Sequence, residues 1–158
     1  MLNETFIVLS SIVMSKFIYV LCGHSNCGKT ATLSYLRELL QKQGESTHLQ
    51  FPHDPNYADR RETFLLDGKT ICLTPGGDAD CVVKDNLVYF EEQSADILVT
   101  ASRSRGGTVD AIEEYCKNND IHVERIKKSY EHNLSISTQC LCNHETAEFL
   151  LNKLRKHC

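Results

Sequence analysis

Apolar residues fall along this chain in two alternating patterns: short continuous runs, and longer stretches where they recur every three or four positions. Lys16–Cys22 (KFIYVLC) is a nearly unbroken apolar run with aromatic and β-branched members. Such a run suits a strand buried on both faces, as in a parallel sheet. Lys29–Gln43 then carries Leu33, Leu36 and Leu40 at i, i+3 and i+7, with Gly44 as a stop signal. The spacing predicts an amphipathic helix. A strand, a tight loop and a helix therefore open the domain.

The alternation continues downstream. Thr47–Phe51 reads as a short second strand, and Pro52–Arg61 (PHDPNYADRR) as a polar loop long enough to serve as a substrate or switch loop. Thr63–Leu66 and Lys69–Leu73 flank Asp67-Gly68. That pair between two apolar runs predicts a hairpin, because a type I′ turn needs positive φ at both central positions. A glycine loop, Thr74-Pro75-Gly76-Gly77-Asp78, precedes a helix expected from Asp80 to about Gln93. Ala95–Ala101 is another buried-strand run, ending in Ser102-Arg103-Ser104-Arg105-Gly106-Gly107. Thr108 is placed to cap a helix that buries Val109, Ile112 and Cys116. Ile121–Ile126 reads as a strand, and a last helix is expected to start at Asn143, with Ala147, Leu150, Leu151 and Leu154 on one face. Its basic end, Lys153, Arg155 and Lys156, complements the helix dipole.

Strands alternating with helices imply an α/β fold, a mostly parallel sheet between two helical layers with one antiparallel hairpin strand. At 158 residues the chain is about one domain's worth. No repeat, low-complexity stretch or linker divides it. The expected organisation is an N-terminal extension over 1–13 and one domain over 14–158. Thr5–Met14 is apolar, yet no Lys or Arg precedes it, no clear cleavage site follows, and it is too short to span a membrane. Met14 is the simpler start, since MSKFIYVLCG opens directly into the first strand.

Composition narrows the partners. With 17 basic and 21 acidic residues the net charge is -4. General nucleic-acid binding, whose affinity comes mostly from neutralised phosphates, is not expected. Eight cysteines invite a disulfide framework, but that reading suits short secreted chains. Here Cys22, Cys72, Cys81 and Cys116 fall inside expected strands and helices, where cysteine behaves as a small hydrophobe. Reduced thiols and a cytoplasmic protein are expected.

Gly23-His24-Ser25-Asn26-Cys27-Gly28-Lys29-Thr30 satisfies G-x-x-x-x-G-K-[ST]. The loop must wrap closely around phosphate oxygens, so side chains at Gly23 and Gly28 would obstruct it. Successive N–H groups point inward as a nest, and the following helix adds the positive end of its dipole. Lys29 reaches the β and γ phosphates, the Thr30 hydroxyl is a Mg²⁺ ligand, and Ala31 and Gly77 are further nucleotide contacts. By chance the pattern occurs in under about 1 % of chains this long. The segment resembles the Walker A loop of the P-loop NTPase superfamily, which implies a three-layer α/β fold and binding of a nucleoside triphosphate with Mg²⁺. Gly68-Lys69-Thr70 repeats the tripeptide but lies in the hairpin, with Thr63 where the first glycine is needed.

A P-loop protein also needs an acidic residue near the magnesium. Asp67 is absorbed by the hairpin turn, at the wrong end of the sheet, so Asp78 is the candidate, after a strand whose loop emerges where α/β sheets place ligands. GHSNCGKT with LTPGG is similar to the phosphate loop and second switch of GTPases, but Thr74 stands where their Asp is expected. No Asn/Thr-Lys-x-Asp guanine-reading motif occurs, so ATP is expected before GTP. Arg103 and Arg105, on a glycine-rich loop, are candidates for stabilising charge on a transferring phosphoryl group. Arg60 and Arg61 are weaker candidates of the same kind. Cys140-x-Cys142-x-His144 has atypical zinc spacing and reads as ordinary helix-boundary residues. Cys27 lies at a helix N-terminus, where thiol pKa values can fall.

These features support a small ATPase or kinase-like phosphotransferase on an unidentified small acceptor, with the acceptor over the Pro52–Arg61 loop. A nucleotide-dependent switch acting on a protein partner, and a domain that binds nucleotide without turnover, are the alternatives.

Overall fold

The computed structural model describes residues 15–51, 59–130 and 134–157. Thr5–Met14, the choice between Met1 and Met14, and most of the Pro52–Arg61 loop lie outside them, as do His132 and Cys158, which a four-ligand zinc site at Cys140, Cys142 and His144 would draw on.

Six strands and four helices follow in the order β1 (Phe17–Cys22), α1 (Lys29–Gln43), β2 (Glu45–Gln50), β3 (Arg61–Leu66), β4 (Lys69–Thr74), α2 (Asp80–Glu92), β5 (Ile97–Ser102), α3 (Gly107–Asn119), β6 (His122–Lys127) and α4 (Ile136–Lys156). They form one sheet ordered β2-β3-β4-β5-β1-β6. β4, β5, β1 and β6 run parallel, and β3 is antiparallel to both its neighbours. The fold is α/β, consistent with the three-layer arrangement of P-loop proteins.

Alternation along the strands divides the interior. Tyr19, Leu21, Ile71, Leu73, Ile97 and Val99 meet Leu33, Leu36 and Leu40 of α1 and Leu150, Leu151 and Leu154 of α4. Ile18, Val20, Cys72 and Leu98 face the other way, against Val83, Leu87 and Phe90 of α2 and Ile112 and Cys116 of α3. Strands buried on both faces must be apolar throughout, so the continuous runs were readable as parallel strands. Asp67 and Gly68 adopt φ of 49° and 79°, the two positive values of the expected hairpin turn. The turn sits at the amino end of β4, across the sheet from the phosphate loop.

Two helix starts differ from expectation. α4 begins at Ile136, two turns before Asn143, with the Ser135 side chain accepting from the Thr138 amide as N-cap. Thr108 lies inside α3, behind Gly106, and its hydroxyl accepts from the Arg103 amide at 3.1 Å. It ties down the preceding loop instead of capping the helix. Of the cysteines, Cys72 and Cys116 are buried as expected, but Cys81 is exposed, because it occupies the outer side of the first turn of α2. Burial pushes the Cys72 thiol up to about 12 and that of Cys116 to about 11. All seven described cysteines are free thiols.

Among the described residues no helix is long and apolar enough to cross a membrane. Leu36, with no exposed surface at the centre of the α1–α4 layer, measures that layer's packing. Leu36→Ala should lower unfolding free energy by about 2–5 kcal/mol in urea denaturation, the transfer term plus the cavity left behind.

Candidate functional site

The turn from β1 into α1 is held from three sides. The Gly23 amide donates to the Ser102 carbonyl at the end of β5, and the Lys128 amide, after β6, donates to the Cys22 carbonyl at 2.7 Å. A Cβ on Gly23 would run into the Lys128 carbonyl and the Cys27 sulfur. Gly28 has φ +87°, a left-handed conformation costly for other residues. A Cβ there would meet the Tyr130 hydroxyl and the Asn143 side chain. Asn26, also left-handed at φ 60°, is of a residue type that tolerates the region.

Asn143 organises the roof of this turn. Its side-chain oxygen accepts from the Tyr130 hydroxyl at 2.9 Å and from the Thr32 hydroxyl at 3.3 Å, joining α4, the β6–α4 segment and α1 above Gly28. The Lys128 ammonium lies 5.0 Å from the centre of the Tyr130 ring. Burial lowers the Lys128 pKa from the usual lysine value, partly countered by Cys142 and Cys27.

Inside the turn, the Lys29 ammonium donates to the carbonyls of Gly23 (2.7 Å) and His24 (2.8 Å) and lies 3.8 Å from Asp78 Oδ1. Lys29 is 6 % exposed, whereas the Asp78 side chain is 64 % exposed. The loop is thus closed on its own lysine, and an entering phosphate would take over those ammonium protons. A hollow of about 330 Å³ opens here, lined by Asn26–Ala31, Asp78, Tyr130 and Gln139. Its amides, ammonium and hydroxyl suit a polyphosphate, and a hydroxyl and a carboxylate on one lining suit Mg²⁺, which takes few protein ligands alongside phosphate oxygens.

Of the sequence-named residues, Asn26, Cys27, Gly28, Lys29, Thr30, Ala31 and Asp78 line this hollow together. Gly23 and His24 turn their backbones toward Lys29 but line a separate cavity on the other side of the loop. Ser25 is exposed at the tip. Gly77 is a packing contact, since a Cβ would strike the Ala101 carbonyl and the Ser102 amide. That approach draws the TPGGD loop over β5, which separates β4 from β1. Arg103 and Arg105 are exposed and line neither side of the hollow.

Arg60 and Arg61 have internal partners. Arg61 donates to Asn86 at 2.8 Å and to Gln50 at 3.1 Å, and Arg60 approaches Glu62, which also faces Arg37. Cys27 is 1 % exposed, with its sulfur 3.9 Å from the Lys29 nitrogen. His144 stacks on Tyr35 at 3.5 Å between ring centres. Among the described residues no group of three or more His, Cys, Asp or Glu could hold a metal ion by itself.

Tyr130, Gln139, Asn143 and Lys128 were missed from the sequence. Only Asn143 carried a signal: it extends the Ala147–Leu150–Leu154 stripe by one turn, a polar residue on a buried face.

No protein-family model matches the chain. Over 90 residues, 54 % of the chain, it is 31 % identical to Signal recognition particle receptor FtsY of Haloferax volcanii, covering 20 % of that protein. This likeness lends weak support to a nucleotide-binding P-loop domain. Over 153 residues it is 24 % identical to NPC1-like intracellular cholesterol transporter 1 of Mus musculus, covering 11 % of it. The chain spans a fifth or less of both curated relatives, so neither whole-protein role transfers to it.

Removing the roof tests its part in holding the turn. Asn143→Ala leaves the buried Thr32 hydroxyl and the half-buried Tyr130 hydroxyl without their acceptor and should cost about 1–3 kcal/mol in urea denaturation. Tyr130→Phe, which removes only one of the two donors, should cost less.

Proposed function

We propose that the chain binds a nucleoside triphosphate with Mg²⁺ at Gly23–Ala31 and acts as a small NTPase or phosphotransferase. The observation that carries this reading is the Lys29 ammonium, held by the loop's own carbonyls beside Asp78 in a hollow lined by Gly28, Thr30 and Ala31. In this reading the loop amides and the N-terminus of α1 receive the phosphate oxygens. Lys29 leaves the Gly23 and His24 carbonyls to bridge the β and γ phosphates. Thr30 and Asp78 hold the metal, which when bound neutralises charge on the phosphate oxygens and orients them. Tyr130, whose hydroxyl lies over Gly28, and Gln139 complete the lining of the hollow. Arg103 and Arg105 would reach the terminal phosphoryl group only by movement of the Ser102–Gly107 loop.

ATP is the proposed nucleotide because the chain has no Asn/Thr-Lys-x-Asp motif; the FtsY likeness makes GTP its competitor. A partner-directed switch, in which the TPGGD loop would leave its contact with the end of β5, is the alternative. A cytoplasmic setting accords with the free thiols.

Thermal shift with ATP, GTP and ADP, each with and without Mg²⁺, tests the reading. A melting temperature unmoved by every nucleotide would sink it. Lys29→Ala should weaken binding by at least about tenfold, the loss of a charge-assisted contact of roughly 1.5–3 kcal/mol.

The metal assignment has its own test. Asp78→Asn should leave metal-free nucleotide binding in place while removing most of the added stabilisation that Mg²⁺ brings. An unchanged Mg²⁺ increment in the melting temperature would remove Asp78 from the metal site.

A further inference from the structure

The phosphate loop has a second side. β1 is followed by a helix on one face of the sheet, while its neighbour β5 is followed by a helix on the other. Connections that diverge in this way leave a crevice beyond the carboxyl ends of the strands, where α/β sheets place ligands. A cavity of about 450 Å³ occupies this region, lined by Gly23 and His24 of the phosphate loop, Ser104 after β5, and Arg125, Lys127 and Ser129 on and after β6. Gly23 and His24, whose carbonyls accept from the Lys29 ammonium, form one side of it.

Its chemistry is one-sided. No carboxylate is among the lining residues. Arg125 and Lys127 pair in register with Val20 and Cys22, so both side chains project from the sheet face that carries α2 and α3. Arg125 is engaged by Glu113 of α3. Lys127 is exposed and takes part in none of the ion pairs among the described residues. His24 directs Nδ1 to the Ser25 carbonyl at 2.7 Å, so Nε2 is its remaining ring nitrogen. In the neutral ring that nitrogen is an acceptor, so the donors around this space are the Lys127 ammonium, the Arg125 guanidinium and the two serine hydroxyls, a set suited to an oxyanion.

We propose that this cavity binds the phosphate group of a second small substrate, a phosphate monoester, with Lys127 as its principal charge contact. Its role as an acceptor site rests on the nucleotide reading above; its capacity to hold a phosphate does not. Ser104 of the Arg103–Arg105 loop lines this cavity, while the two arginines beside it are exposed and line neither cavity.

The test is a titration of the ¹⁵N-labelled full chain with inorganic phosphate, followed by amide resonances. Ser104, Lys127 and Ser129 report the cavity; Thr30 and Ala31 report the nucleotide hollow. Phosphate should move both groups. Lys127→Gln should weaken the cavity response by roughly fivefold or more and leave that of Thr30 and Ala31. Lys29→Ala should do the reverse. The proposal is overturned if the cavity amides stay still in the wild type, if Lys127→Gln leaves their response unchanged, or if Lys29→Ala abolishes it. Mg-ATP separates the two readings. If the nucleotide proposal alone fails, ATP leaves Thr30 and Ala31 unmoved while phosphate still shifts Ser104, Lys127 and Ser129.

Discussion

The site depends on one crowded point, where the Asn143 side-chain oxygen receives the hydroxyls of Tyr130 and Thr32 directly over Gly28. Gly28 needs its left-handed φ to turn the chain from the loop into α1, and it needs the absence of a side chain to pass beneath this roof. The two requirements meet at one residue. Three segments far apart in sequence are thereby locked around the turn that presents the loop amides, before any ligand arrives. Such preorganisation spares a bound phosphate the cost of ordering its own cradle.

Strand order decides how the acidic group enters. β5 lies between β1 and β4, so the loop after β4 starts two strands away from the phosphate loop. Gly77 closes that distance by pressing its backbone on the Ala101 carbonyl and Ser102 amide. Asp78 then stands 3.8 Å from Lys29. A side chain at position 77 would lift the loop and with it the carboxylate, so the conformational freedom of TPGGD is spent on close approach to β5.

A chain of net charge -4 gathers cations at one edge of its sheet. Lys29 lies buried within the loop, Lys128 lies buried behind Tyr130, and Lys127 stands exposed on the far side. Acidic residues answer some of these charges and not others: Asp78 faces Lys29, and Glu113 faces Arg125. The excess of positive charge is therefore local and concave.

By itself the sequence determined whatever rests on local rules. Continuous apolar runs identified β1 and β5 because a strand covered on both faces has no polar positions. Asp67-Gly68 identified its turn because two positive φ values admit few residue pairs. The glycines of Gly23–Thr30 marked the tight turn from β1 into α1 because its packing leaves no room for a side chain at Gly23 or Gly28. Only the tertiary structure decided strand order and the company of Lys29; the earlier start of α4 follows from the local Ser135 cap. Tyr130, Gln139 and Asn143 come to the loop from more than a hundred residues along the chain, through packing of α4 on α1. No local pattern encodes that meeting. It follows from the shape of the shared core, which sets where each helix end stops.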